Sequence, residues 1–246
     1  MLRSALSSNG DIVEFSTLES ECVYLKDELM KMQYKYIKYC TSSLNANLVS
    51  RGWRRFGDYY SRPNCNSCSK CQSLRINVEK FNFTKSVRKV LSKNSDTKMI
   101  IRKPSVSKEH LTLYEKYHKL MQLKKGWEYY NINSDSYYDL YVKGFGVFGK
   151  EILYIRDQKL VGVDLVDFLD DGISSIYFYY DPDFSRFSLG NYSIYKQIEM
   201  AKDRELKWIY LGYYVKDCDS LNYKINYKPY EILQNNPNFD EISIWS

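Results

Sequence analysis

The chain of 246 residues has no apolar run approaching the roughly 20 residues that span a bilayer, so no segment reads as a transmembrane helix. Its opening, Met1-Leu-Arg-Ser-Ala-Leu-Ser-Ser-Asn-Gly10, lacks the apolar stretch of about 7 to 15 residues that a secretory leader needs. There is no internal repeat and no low-complexity tract, and the composition gives no support to a disordered chain. These absences lead to the expectation of a protein of the cytosol with no membrane partner. Thiols stay reduced in that compartment, so the six cysteines (22, 40, 65, 68, 71 and 218) read as ligands or free thiols rather than as a disulfide framework.

What is present is a globular composition, 44% hydrophobic and 27% charged, with 25 tyrosines. The length suits one large domain or two small ones and can bury a core without cross-links. The net charge of +6 is unevenly spread. Between Arg51 and Lys103 lie seven arginines and seven lysines against Asp58, Glu79 and Asp96, so the rest of the chain is net acidic. Arginine forks onto phosphate and carboxylate, which points to a polyanion or an acidic substrate.

The apolar spacing of Leu25, Leu29, Met32, Tyr36 and Tyr39 predicts an amphipathic helix within 17–39. Residues 51–71 are rich in Gly, Asn, Ser and Cys and read as irregular. Alternation over 74–83 predicts a strand leading into the basic stretch 84–93. The character changes near residue 103, giving an expected boundary between domains 1–103 and 104–246. Beyond it, Ser107 is placed to cap a helix running to about Leu123. Three strands over 151–156, 159–168 and 174–180 form an antiparallel meander, followed by a helix over 190–205 and a strand over 208–215. The class is mixed α+β.

Cys65-Asn-Ser-Cys68-Ser-Lys-Cys71 is the most specific local signal. Two-residue spacers let a tight turn aim successive thiolates at one centre, as in zinc or iron–sulfur sites. Cys22 is the first candidate for a fourth ligand and Cys40 the second, and nearby Arg62, Lys70 and Arg75 would favour thiolates.

Arg51-Gly-Trp-Arg-Arg-Phe-Gly57, Tyr60-Ser-Arg-Pro-Asn-Cys65 and Phe83-Thr-Lys-Ser-Val-Arg88 resemble the N-terminal signature of aminoacyl-tRNA–protein transferases. Tyr180-Asp-Pro-Asp183, Ser188-Leu-Gly-Asn-Tyr192, Tyr210-Leu-Gly-Tyr-Tyr214 and Tyr223-Lys-Ile-Asn-Tyr-Lys-Pro229 resemble the C-terminal one. The likeness is nearest to the bacterial branch, the aspartate/glutamate leucyltransferases. It implies a small Cys-containing N-terminal domain followed by an acyltransferase-like (GNAT) domain. It also implies transfer of leucine from leucyl-tRNA to the α-amine of proteins beginning with Asp or Glu, which marks them for N-degron proteolysis. Eukaryotic relatives arrange their cysteines in paired doublets, unlike this chain. Leu123-Lys-Lys-Gly126 also lacks a histidine that the resemblance suggests.

The implied chemistry is aminolysis of an activated ester, which needs positioning more than a covalent nucleophile and requires no cofactor for the reaction itself. Asp181 and Asp183 are candidates for taking the acceptor's proton or holding its ammonium, and Ser188 and Gly190 for offering a helix start to the ester carbonyl or a terminal phosphate. Arg54, Arg55 and Arg62 are candidates for the acceptor carboxylate, with Arg75 and Arg88 in competition. Arg75, Arg88, Lys89, Lys93, Tyr192, Tyr213 and Lys224 are the expected tRNA contacts. Three other readings stand beside this one: an arginyl-tRNA donor, a CoA-dependent N-acetyltransferase, and a non-enzymatic metal-stabilised RNA-binding module. The spacing of Arg186-Phe-Ser-Leu-Gly190-Asn191 counts against a CoA cradle.

Overall fold

The structure is a computed structural model that describes residues 12–129 and 131–246; the opening segment read above for a leader lies outside them. In chain order the N-terminal part contains β1 (Ile12–Ser16), β2 (Ser20–Glu21), β3 (Leu29–Met30), β4 (Met32–Ile37), α1 (Ser42–Ser50), β5 (Arg54–Phe56) and β6 (Tyr59–Pro63). Then come β7 (Gln72–Asn77), α2 (Lys85–Lys93), β8 (Lys98–Arg102), α3 (Lys108–Lys125) and α4 (Ser134–Tyr137). The rest is β9 (Gly149–Arg156), β10 (Lys159–Phe168), β11 (Gly172–Tyr180), α5 (Leu189–Asp203), β12 (Trp208–Tyr214) and β13 (Tyr230–Ile232).

Among the described residues, seven strands form one mixed sheet in the order β13-β7-β12-β11-β10-β9-β8, and β1-β4-β6-β5 form a smaller antiparallel one. Within the large sheet only β11 and β12 run parallel. Alternating side chains build a core on each face. Ile152 and Tyr154 join Leu189, Tyr192 and Ile198 of α5 on one side. Leu153, Val163 and Tyr179 join Leu113 and Tyr114 of α3 on the other. Ile37 and Tyr60 of the small sheet, with Trp53 just before β5, close over Leu48 of α1.

The meander appears where the alternation placed it, its first turn made by Asp157 and Gln158, both with positive φ. Ser107 caps α3 by accepting from the His110 N–H. Three segments differ from expectation: residues 51–71, read as irregular, hold the paired strands β5 and β6, because Arg55 and Tyr60 alternate into buried positions, and the other two are 17–39 and 74–83. Residues 17–39 hold strands in place of a helix, because their apolar side chains serve separate neighbours. Leu25 packs with the cysteines, Tyr34 and Tyr36 lie on a strand paired on both sides, and Tyr39 is exposed. Asp27, at φ 62, turns the chain between them. The strand expected over 74–83 ends at Asn77, whose side chain accepts from the Lys80 N–H and turns the chain. The large sheet also takes β7 and β8 from before residue 103, so the polypeptide crosses that point without leaving the sheet.

Candidate active site

The parallel pair β11–β12 is hydrogen-bonded only from Gly172–Ser174 to Trp208–Tyr210. Past that point β11 follows β10 to Tyr180, while β12 shifts register between Tyr210 and Gly212 and follows β7. The strands part, leaving an opening in the hydrogen-bond ladder toward their carboxyl ends, the side on which open α/β sheets place ligands.

Arg54 of β5 reaches into this opening. Its Nη2 donates to the Ile176 carbonyl of β11 at 2.7 Å, and its guanidinium lies 5.9 Å from the Tyr213 ring of β12. Gly212, at φ +70, makes the room: a Cβ there would stand 1.4 Å from Arg54 Nη1. Tyr213 is fixed as a wall, its hydroxyl donating to the Ser61 carbonyl at 2.8 Å. Burial draws the Arg54 guanidinium down from its usual value, while Tyr213, Tyr24, Tyr223 and, least, the more distant carboxylate of Asp167 act in the opposite direction. The group is half-buried, makes a single hydrogen bond, and has no carboxylate within ion-pair distance among the described residues. Four of its five N–H donors make no hydrogen bond among the described residues.

Beside it, Lys224 is buried, its Nζ donating to the Tyr213 carbonyl at 2.6 Å. Burial, then the nearby Arg54, push this amine well below the ordinary lysine value, with Cys218 opposing. Tyr227 bonds Asn191 at the start of α5 at 2.5 Å.

The other expected site residues fall into two groups. Asp181 and Asp183 are both ion-paired to Lys116 of α3 at 2.6 Å, and Asp181 also accepts from the Asp183 N–H, so these carboxylates lock a turn. Arg55 closes its fork on buried Asp167 at 2.6 and 2.8 Å. Arg62 lies over Trp53 and donates to the Pro237 carbonyl and Gln33. Arg75 is clamped between Trp208 and Trp245 and paired with Glu231 at 2.7 Å. None of these three arginines is free for a ligand. Tyr192 is core, and Lys224 is buried rather than exposed like the lysines of α2. In contrast, Arg88, Lys89 and Lys93 are exposed on α2 beside Lys85, which the sequence reading had not singled out. Ser188, at φ 54, makes no capping bond to α5, and the position above Gly190 is open.

Cys22, Cys65, Cys68 and Cys71 line one small pocket, whereas Cys40 lies elsewhere, bonded by the Tyr60 hydroxyl. Cys218, which no spacing rule links to the run, packs in the same cluster. Burial and the surrounding thiols push Cys71 up to about 12, opposite to the thiolate-favouring effect expected. The basic groups counted on for that effect are engaged: Arg62 and Arg75 as above, Lys70 with Glu28. Four thiols suit a soft metal as donors. Among the described residues, however, no three His, Cys, Asp or Glu stand close enough together to hold an ion.

Two family models cover the chain: Arginine-tRNA-protein transferase, N terminus, over residues 20–89, and its C terminus over 109–234. The chain belongs to this transferase family. The opening, with Arg54 from one half and Gly212, Tyr213 and Lys224 from the other, therefore sits where the two halves of the family meet. An aspartate/glutamate leucyltransferase of Campylobacter jejuni is 53% identical over 222 residues, covering 90% of this chain and 93% of the relative. One from Helicobacter hepaticus is 41% identical, covering 95% and 97%. Among solved structures, the C-terminal domain of a putative lysylphosphatidylglycerol synthetase from Agrobacterium fabrum overlaps 59% of this chain and 47% of its own, at 9% identity and a TM-score of 0.44. The chain is an aminoacyl-tRNA–protein transferase.

Proposed function

We propose that this transferase moves leucine from leucyl-tRNA to the α-amine of proteins beginning with Asp or Glu, at the opening between β11 and β12. The observation that carries the reading is Arg54: a half-buried guanidinium at the parting of the strands, with no carboxylate within ion-pair distance among the described residues and a single hydrogen bond on its fork. An acidic side chain supplies that counter-ion and satisfies the fork bidentately. A carboxylate held there brings the α-amine of the same residue to the opening, where the aminoacyl ester must lie for aminolysis. Well-oriented intramolecular reactions reach effective molarities of about 10⁵ M or more, so positioning supplies much of the rate. The parted parallel strands, with α5 following β11, support a GNAT-like acyltransferase arrangement of the large sheet.

The tRNA backbone is assigned to the exposed basic face of α2, with the half-buried tyrosines Tyr117 and Tyr180, whose rings lie 5.3 Å apart, offered to the unpaired 3′ end. The chain then acts in the cytosol in the N-degron pathway, on leucyl-tRNA and on acceptor proteins with acidic N-termini. Cys22, Cys65, Cys68 and Cys71 would hold zinc or an iron–sulfur centre only by closing from their present separation, and such a centre would supply a structural brace for the segment around Tyr24, which shares the neighbourhood of Cys71. Metal analysis of anaerobically purified protein is expected to show a bound metal that is lost in Cys68→Ser, and metal-free wild type of full activity overturns the assignment. The transfer itself is tested with tRNA charged with labelled leucine or arginine and peptides beginning with Asp or Ala. Label from leucine entering only the Asp peptide is the expected result, and no transfer from either charged tRNA contradicts it.

A further inference from the structure

The transferase reading leaves the acceptor's proton without a destination. Its α-ammonium, ordinarily near 8, must become a free amine before it attacks. Asp181 and Asp183, the carboxylates that the sequence suggests, are tied to Lys116. The tyrosines at the opening, Tyr213 and Tyr223, are pushed up by burial and hold their protons at neutral pH. Cys71 is pushed up to about 12.

Resting on that reading, we propose that Lys224 is the base that takes the proton from the acceptor's α-ammonium. Lys224 sits in the short 3₁₀ turn Asn222–Asn226, packed against β12. It is buried, its amine has the Tyr213 carbonyl as sole hydrogen-bond partner, and no carboxylate pairs with it among the described residues. The charged and titratable groups acting on it are Arg54 from β5 and Cys218 from the loop after β12, with Tyr213 and Tyr223 lining the same opening. Burial and the neighbouring Arg54 cation both disfavour the charged form of this amine, so it gives up a proton more readily than an exposed lysine. The backbone carbonyl takes one N–H and leaves the nitrogen lone pair available. Arg54 gives the arrangement its selectivity: the carboxylate it binds belongs to the residue whose α-amine is to be activated.

The step balances. Lys224 Nζ takes one proton from the α-ammonium, and the freed lone pair forms the C–N bond to the ester carbonyl carbon. The C–O bond to the ribose breaks with its electron pair on the ribose oxygen, which gains the second amine proton. The proton on Lys224 then passes to water.

The test compares wild type with Lys224→Arg, which keeps a cation, and Lys224→Met, which keeps the stem and is easily buried. Transfer of leucine to an Asp-initiated peptide is followed between about pH 6 and 10. A missing general base costs about 10²–10⁴-fold in kcat. Both variants are expected to lose on this order at neutral pH with little change in KM for the peptide. The loss is expected to shrink above about pH 8, where the acceptor arrives already deprotonated. A Lys224→Arg enzyme with the wild-type kcat, a loss independent of pH, or a raised peptide KM with kcat intact assigns Lys224 to anion binding or packing and overturns the proposal. If one variant does not fold, the other decides by the same criteria. Wild type that transfers from neither leucyl- nor arginyl-tRNA instead overturns the reading of the site, and this proposal with it.

Discussion

Arg54 and Arg55 are adjacent and chemically identical, yet their surroundings separate them. On a strand successive side chains face opposite ways. One arginine therefore enters the opening while the other turns to Asp167 and closes a buried bidentate pair. Removing one partner from a buried ion pair costs about 3–5 kcal/mol, because the other charge is left uncompensated. Asp167→Asn and Arg55→Ala are expected to lose stability on that scale in denaturant unfolding, with Arg54→Ala changing little. Near-equal losses for all three contradict the division of roles. Gly212 supplies a second residue-scale check. Gly212→Ala must displace the guanidinium, so it is expected to raise the KM for Asp-initiated peptides while leaving the KM for tRNA alone. The motif residues were thus visible in the sequence, but their roles were not. Which of two arginines is free depends on the parity of a three-residue strand and on an aspartate far along the chain. Nothing local reveals either.

At the level of elements, α3 was legible from its Ser107 cap, α5 from the spacing of Tyr192, Tyr195, Ile198 and Ala201, and the meander from its alternation and the turn at Asp157-Gln158. Residues 17–39 were misleading because an apparent helical spacing is produced by short strands that pack against different partners. The basic stretch 84–93 folds as α2, capped by Thr84 and anchored by Val87, with Lys85, Arg88 and Lys89 outward. Glutamates at these three outward positions should leave the fold intact, since none of them packs in the core. They are expected to weaken tRNA binding and to flatten its salt dependence, each lost phosphate contact lowering the log–log slope by about 0.7 to 0.9. Measuring tRNA affinity across a salt series checks this, and an unchanged slope removes α2 from the tRNA interface.

For the molecule as a whole, the basic segment proves less available than its charge suggests. Arg55, Arg62, Arg75 and Arg102 are all occupied by internal partners. The segment acts partly as an internal clamp, fastening the small sheet and β8 to the C-terminal half. The large sheet takes strands from both sides of the sequence change near residue 103. A sheet assembled from distant strands leaves no trace in local composition. One such long-range contact sets an acid limit on stability. Buried Glu151 is pushed up by burial, but His110, Arg102 and the Ser105 N–H outweigh this and hold it below the ordinary glutamate value. A carboxylate lowered in the folded state contributes stability above its unfolded value, and that contribution is lost as the pH falls through the lowered one. Unfolding midpoints are expected to drop on acidification below about pH 5, and less steeply in Glu151→Gln. The central claim, that Arg54 reads the acidic first residue of the acceptor at the parting of β11 and β12, has a direct test. It is the ratio of kcat/KM for Asp- over Asn-initiated peptides in wild type and in Arg54→Ala. The account predicts a ratio that strongly favours Asp in wild type and falls towards one in the variant; a ratio unchanged by the substitution contradicts it.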